Sequence, residues 1–425
     1  MPSKLKPFPS ALALALALVV AAANCTPARA AQDTVQVLHW WTAGGEAGAL
    51  QVLKDDLLQH GVQWQDVPIA GGGGAQAMTT LRARVLAGDP PSAAQLAGFD
   101  IADWSHQGVL QDLTPIARRQ DWAHKVPKAL QDFDVYQGRW IAAPIGVHSS
   151  NWLWASRKVL TRSGITRPPA TWDEFIADLG KVKKSGYVAL AAGGQPWQVA
   201  TMFDGVVLST GGPDFYRSSL LERDPKALDS PTMLKVFERM SVLRSFVDQG
   251  YANRDWNEAT AMVMQGRAGF QMVGDWALGE FNHAHQVPDK DYLCVRTPGT
   301  QGSVTYHSDA LVFFKRDAKD QQAQRILAEA VMSPGVQAGF NRIKGSAPAL
   351  LGISREGFNA CGRKAIADLA QADASGTLLG SLSQGNAVPP AVKGAFFDVI
   401  AREFNGAISP AEAARQLAAA AKAQY

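Results

Sequence analysis

Val35-Gln36-Val37-Leu38-His39-Trp40-Trp41-Thr42-Ala43-Gly44-Gly45-Glu46 begins the pattern that decides the fold. Residues 35–41 have the apolar run of a buried strand, and residues 46–58 then take the spacing of an amphipathic helix. A short strand is expected at 63–67 and a second helix at 75–87. Strand and helix therefore alternate, which predicts an α/β fold with a mostly parallel sheet and helices on both faces.

The alternation continues outward from this stretch. Thr171-Trp172-Asp173-Glu174 and Ser409-Pro410-Ala411-Glu412 fit a capping box, with Pro at the first helical position of the second. Residues 235–247 and 321–332 read as further helices, and 303–314 as a strand after the Thr297-Pro298-Gly299 turn. No repeat at a fixed period is present.

The N-terminus points to export. Lys4 and Lys6 precede an apolar run over 11–23, and Ala28-Arg29-Ala30 supplies the small-x-small site of a signal peptidase. Residues 1–30 are expected to be cleaved, leaving a mature chain from Ala31 in the periplasm. The run is shorter than the roughly 20 residues a membrane-spanning helix needs. Cys25 offers lipidation as an alternative, but Asn24 precedes it where a lipoprotein signal requires a small residue.

Without Lys4, Lys6 and Arg29 the 41 basic residues become 38, equal to the 38 acidic ones. The formal charge of +3 thus belongs to the leader, and nothing favours nucleic acid or anionic lipid as a partner. Roughly 395 residues can bury more than one core, so two domains are expected. Cys294 and Cys361 remain after cleavage, and an even pair in an oxidising compartment reads either as a disulfide or as two buried thiols.

Catalytic patterns are sparse. The mature sequence has no G-x-S-x-G elbow and no H-E-x-x-H, and Gly71 to Gly74 lacks the Lys-Ser/Thr of a phosphate loop. His283-Ala284-His285 lacks a clustered third ligand, so an ordinary polar helix face is expected there and no metal or cofactor. Distant paired carboxylates, as in a glycoside hydrolase, leave no mark in sequence.

Tryptophan stands out. All twelve lie beyond the leader, and several sit beside Gly, Asp or Glu, as in Trp40-Trp41 before Glu46 and in Gly274-Asp275-Trp276. A sugar ring has an apolar C–H face and an edge of hydroxyls, so aromatic planes with polar groups at their edges suit it. Adjacent residues on a strand point to opposite faces. Either one of the two adjacent rings faces a cleft, or both are sandwiched in a two-faced core.

Taken in order, the segment 39–46, Ala70 to Ala75, Pro90-Pro91 with Ala94-Gln95, Ala142-Ala143-Pro144, Thr171-Trp172 with Glu174, Gly274-Asp275-Trp276, Asp309 and Lys344-Gly345-Ser346 resemble the solute-binding proteins of carbohydrate ABC importers. The glucose/mannose-binding branch is the most similar. That resemblance implies the type II two-lobed periplasmic fold, with a hinge and a sugar site in the interlobe cleft. Lobe 1 is expected from 31–143 with 305–350, and lobe 2 from 144–304 with 351–425.

The resemblance further implies that Trp40 and Trp41 form a stacking platform, that Glu46 accepts from hydroxyls, that Lys344 donates to them, and that Trp276 adds an aromatic wall. The sequence departs from the branch at Ala97, where a lysine is expected, at His307 beside Asp309, where an asparagine is expected, and at Gln384, where a histidine is expected. The implied partners are a small carbohydrate and separate permease subunits, with the chain itself a monomer. The competing expectations are a secreted carbohydrate hydrolase, or a receptor for a polyol or glycerol phosphate.

Overall fold

The computed structural model describes residues 1–3, 33–71 and 74–422. The expected leader beyond residue 3, with Cys25, and Gly72-Gly73 of the glycine run lie outside the described residues.

The strands in chain order are β1 (Asp33–His39), β2 (Val62–Pro68), β3 (Ala93–Ala97), β4 (Val135–Tyr136), β5 (Arg139–Trp140), β6 (Ala142–Ser149), β7 (Trp152–Ser156), β8 (Val188–Ala191), β9 (Ala268–Met272), β10 (Tyr292–Arg296), β11 (Val304–Phe313), β12 (Ala347–Pro348) and β13 (Leu378–Gly380). A seven-stranded sheet has the order β12-β6-β11-β3-β1-β2, with β13 paired to β11. A four-stranded sheet has the order β10-β7-β9-β8. β4 and β5 form a separate hairpin.

The large sheet is mixed, which corrects the expectation of a mostly parallel one. β1 runs parallel to β2 and β3, as the opening alternation requires. β11 then lies antiparallel to both β3 and β6, and β12 antiparallel to β6. The cause is long-range: β11 returns from the other sheet and enters in the opposite direction, a pairing that local periodicity does not encode.

Packing follows the pleat. Val35 and Val37 of β1 enter the core on one face of the large sheet, and Leu38 enters the core on the other. Leu311 and Phe313 of β11 join the first core, while Ala310 and Val312 join the second. The small sheet contributes Leu153, Leu190 and Phe270 to a separate core with the helices Pro196–Tyr216, Pro231–Arg244 and Pro390–Phe404. Two sheets with their own cores make the two-lobed α/β architecture.

The chain passes between the sheets at Ser150-Asn151 and between Arg296 and Val304, and leaves the large sheet again after β13 for the helix Pro390–Phe404. β6 stays in the large sheet through Ser149, past the expected boundary at 143/144, and β13 also joins the large sheet although 351–425 was expected in the other lobe. Asn151 fastens the first two passages. Its amide nitrogen donates to Thr300 Oγ1 (2.9 Å) and to the Ser303 carbonyl (3.0 Å), and its oxygen accepts from the Thr305 backbone (3.2 Å) and Arg296 (3.2 Å).

Helix boundaries follow their caps. Thr171 accepts from the Glu174 backbone while Glu174 accepts from the Thr171 backbone, so Trp172–Lys184 starts where its capping box sits. Ser409 accepts from Glu412 N (3.2 Å) at the head of Pro410–Lys422. Cys294 on β10 and Cys361 on the Ala360–Ala374 helix are disulfide-bonded, with Cα atoms 6.0 Å apart.

Candidate functional site

β1 ends at His39, so Trp40 and Trp41 stand beyond the sheet, on the turn into the helix Gly44–Gln59, and strand alternation does not apply to them. Their environments differ. Trp41 is only 2% exposed, meets Phe340 edge to face at 5.3 Å, and donates Nε1–H to Asp309 Oδ2 (3.1 Å). Trp40 is half-buried and lies against Gly74, where a Cβ would come within 3.0 Å of the indole. Gly74 has φ 75°, so the glycine here serves both the turn and the close approach.

Both residues face one small cavity, which is also lined by Glu46, His148, Trp197, Trp256, Trp276, His307, Asp309, Lys344 and Gln384. All eight residues singled out from the sequence are therefore brought together. The cavity lies between the sheets. Trp40 and Trp41 follow β1, His148 is on β6, and His307 and Asp309 are on β11, all in the large sheet. Trp276 follows β9 of the small sheet, while Trp197 and Trp256 begin the helices Pro196–Tyr216 and Trp256–Met264 packed beside it.

The large-sheet wall is a polar network that bonds largely to itself, with His307 Nδ1 left over. Glu46 Oε2 accepts from the Thr42 (2.9 Å) and Ala43 (3.0 Å) backbones, and Glu46 Oε1 accepts from Lys344 Nζ (3.0 Å). Glu46 and Lys344 thus hold each other, and both are buried. Asp309 Oδ1 accepts from Gln95 Nε2 (3.0 Å), whose own Oε1 accepts from the Trp40 backbone (3.1 Å). Ala97, one of the departures from the branch pattern, pairs with Asp309 across β3 and β11, so that departure lies directly at the site.

His148 and His307 are cross-strand partners on β6 and β11, with rings stacked at 4.9 Å. Burial opposes charge on Asp309, but the hydrogen bond and charge of His148, helped by Lys344, hold its carboxyl well below the usual range. Burial and the charge of His148 push His307 well below the ordinary histidine value, so it stays neutral. Burial and Lys344 oppose a charge on His148, yet Asp275 and Asp309 outweigh them and raise it.

The small-sheet wall is aromatic and less fully paired. Trp276 meets His148 at 5.8 Å, His307 at 5.6 Å and Trp197 at 6.0 Å. Trp197 donates Nε1–H to Gln195 (2.6 Å). Trp276 Nε1 and, across the cavity, His307 Nδ1 are buried without a partner. Gln384 makes only a 3.4 Å contact to Ser383 Oγ. The loop that carries it is fixed from below by buried Asp204, which accepts from Ser381 Oγ (2.6 Å), Ser383 N (3.1 Å) and Tyr216 OH (2.9 Å).

The two walls meet at a seam of bare backbone. A Cβ on Gly45 would lie 2.4 Å from the Gly279 carbonyl carbon, and one on Gly345 would lie 2.7 Å from the Asp275 oxygen. Glu280, from the helix Ala277–His283, accepts from Gly45 N (2.8 Å) across this seam.

His148, Trp197 and Trp256 are absent from the sequence-based site. Trp256 follows Asp255, the same indole beside an acidic residue that marked Trp276, whereas Trp197 stands between Pro196 and Gln198 and had no such mark. His148 had its own signal, an ionisable residue inside an otherwise apolar, fully buried strand.

Among the described residues, His148, His307 and Asp309 form the group whose donor atoms lie close enough together to share an ion. Both ring nitrogens of His148 already face carboxylates, and Lys344 contributes an adjacent positive charge, which makes this set a poor cation site. His283 and His285 lie on the exposed end of the Ala277–His283 helix and the turn beyond it.

Two lobes meeting over one aromatic and polar cavity have the form of a ligand-binding protein. Residues 40–337 match the family of bacterial extracellular solute-binding proteins, and the chain belongs to that family. It is a binding protein of this class and not an enzyme.

Relatives from Rhizobium meliloti (strain 1021) and Brucella suis biovar 1 (strain 1330), each described as a "probable sugar-binding periplasmic protein", are 51% and 50% identical. They cover 96% and 94% of this chain, and 97% and 95% of their own. A chitin oligosaccharide binding protein shares the fold with a TM-score of 0.78 at 18% identity, over 91% of this chain and 98% of its own. The solute receptor AcbH, with a substrate preference for β-D-galactopyranose, has a TM-score of 0.76 at 17% identity, over 92% and 98%.

Proposed function

We propose that the chain captures a sugar outside the cytoplasm by closing its lobes around it and delivers it to the membrane permease of an ABC-type importer. The observation that carries this reading is the interlobe cavity, in which five indoles frame a small space and Trp276 Nε1 and His307 Nδ1 are buried without partners. Buried polar groups left unpaired cost about 1–3 kcal/mol each, so a ligand with hydroxyls that satisfy them recovers that energy. The descriptions of the relatives at half identity support the sugar class.

The cavity between the lobes is small, which favours a compact sugar over a long chain. In this reading Trp40 and Trp276 face the C–H surfaces, while Lys344, His307, Gln384, Glu46 and Asp309 address hydroxyls. Trp41 supports the platform from beneath. Residues 33–149 and 304–348 with β13 form one lobe. Residues 152–296 and the last two helices form the other. The leader is removed after Ala30, and the mature chain works as a monomer.

Ligand at one hundred times its dissociation constant stabilises a protein by about 2.7 kcal/mol. A thermal-shift screen of the mature protein against mono- and disaccharides, followed by calorimetry, is expected to give a clear upward shift with a monosaccharide. The absence of a shift with every sugar, alongside a shift with a polyol or a phosphate ester, would reject the reading.

A further inference from the structure

We propose that His148 is a positioning residue, an imidazolium strut that sets Trp276, His307 and Asp309 in the geometry that receives the sugar. This rests on the sugar-binding reading above.

The geometry argues for it from every side. His148 Nδ1 lies 2.5 Å from Asp275 Oδ1, and its Nε2 lies 3.5 Å from Asp309 Oδ2. Asp275 is itself clamped onto β6. Its Oδ2 accepts from Ser149 N (2.8 Å) and Ser149 Oγ (2.7 Å), and its backbone N–H donates to the Ser149 carbonyl (2.9 Å). Trp276 follows directly in sequence and packs edge to face on the His148 ring. One imidazole thus joins the strand β6, the segment that presents Trp276, and the carboxylate on β11.

A neutral imidazole has one N–H and one lone pair. Placed between two buried carboxylates, it would turn that lone pair toward a negative oxygen. The doubly protonated ring donates to both. The titratable groups facing it are Asp275 beyond β9, His307 and Asp309 on β11, and Lys344 at the end of the helix Pro334–Lys344. The two carboxylates outweigh Lys344 and burial, and the stacked His307 is held neutral, so the histidine pair carries a single charge.

The sign is fixed by that direction. The charge on His148 is complete below the ordinary histidine range and is lost only as pH rises through its raised value. Sugar affinity is therefore expected to hold on the acid side and to fall on the alkaline side.

The test uses the full mature protein. Nitrogen-15 NMR of histidine-labelled wild type without sugar is expected to show both His148 ring nitrogens keeping their protons to higher pH than an ordinary histidine, a readout that needs no variant to fold. Calorimetry with the sugar identified by the screen is expected to show wild-type affinity falling by about fivefold or more as His148 loses its proton. His148→Gln is expected to bind roughly tenfold more weakly at acid pH, without that alkaline fall.

A His148 that keeps its protons to no higher pH than an ordinary histidine would overturn the proposal, as would a His148→Gln protein with wild-type affinity and pH profile. Should the glutamine variant not fold, Asp275→Asn tests the same contact. It is expected to lower the NMR titration of His148, and an unchanged titration would also overturn the proposal. A wild type that binds no sugar at any pH would instead overturn the sugar-binding reading, and the role in positioning with it.

Discussion

The two walls of the cavity are built on opposite plans. On the large-sheet side Glu46, Lys344, Asp309, Gln95 and Trp41 bond to one another before any ligand arrives. On the small-sheet side Trp276 and Gln384 keep polar groups free or weakly engaged among aromatic rings. One wall holds its shape through its own bonds and the other completes its bonds with the ligand. Substitutions on the first wall should therefore register mainly in stability, and those on the second mainly in affinity.

The largest effect expected is at Lys344. Removing one partner of a buried ion pair costs roughly 3–5 kcal/mol, because it leaves an uncompensated charge. Lys344→Ala should lower the urea midpoint of the ligand-free protein accordingly, since Glu46 stays buried with only its two backbone donors. A variant that keeps wild-type stability and loses only sugar affinity would break the contrast between the walls.

The small-sheet lobe holds a further unpaired group away from the cavity. Glu403 accepts from Ser241 Oγ (2.6 Å), its Oε2 has no partner, and burial pushes its carboxyl up to about 7. A raised carboxyl stabilises the fold fully at pH below its ordinary value near 4.5, and that contribution is lost as pH rises through about 7. Glu403→Gln should accordingly be more stable than wild type above neutrality, by up to about 3 kcal/mol, and indistinguishable from it in acid. Denaturation at about pH 3.5, below the ordinary carboxyl value, and at about pH 8 checks both halves.

The smallest expected effect is also the sharpest test. Trp276→Phe keeps a ring but removes the unpaired N–H, so a hydrogen bond to sugar worth about 1 kcal/mol, or several-fold in affinity, should be lost. The melting temperature without ligand should hold or rise, because a buried donor without a partner has been removed. A drop in ligand-free stability would place Trp276 with the self-bonded wall.

How much of this was legible in the sequence follows the same division. The opening strand-helix alternation, the Thr171 capping box, the Ser409 cap and the cysteine pair are local or compositional signals, and each appears in the fold. The site residues came from indoles next to turns and from family resemblance. What they bond to was out of reach: Lys344 and Glu46 are 298 positions apart, and no periodicity links them. For the same reason the antiparallel entry of β11 was missed, and with it the pairing of His307 with His148. A histidine inside the buried strand β6 was a readable anomaly, but its meaning depends on Asp275 and Asp309 arriving from elsewhere in the chain.

The seam of Gly45, Gly279 and Gly345 sets the mechanical tolerance of the closure. Where side chains meet, a joint can be tuned by rotamers and by gradual changes of size. Here peptide planes touch directly, and the 2.4 Å that separates a Gly45 Cβ from the opposing carbonyl carbon leaves no room for the smallest step the genetic code allows. A single methyl is already a wedge, so the joint admits no intermediate settings.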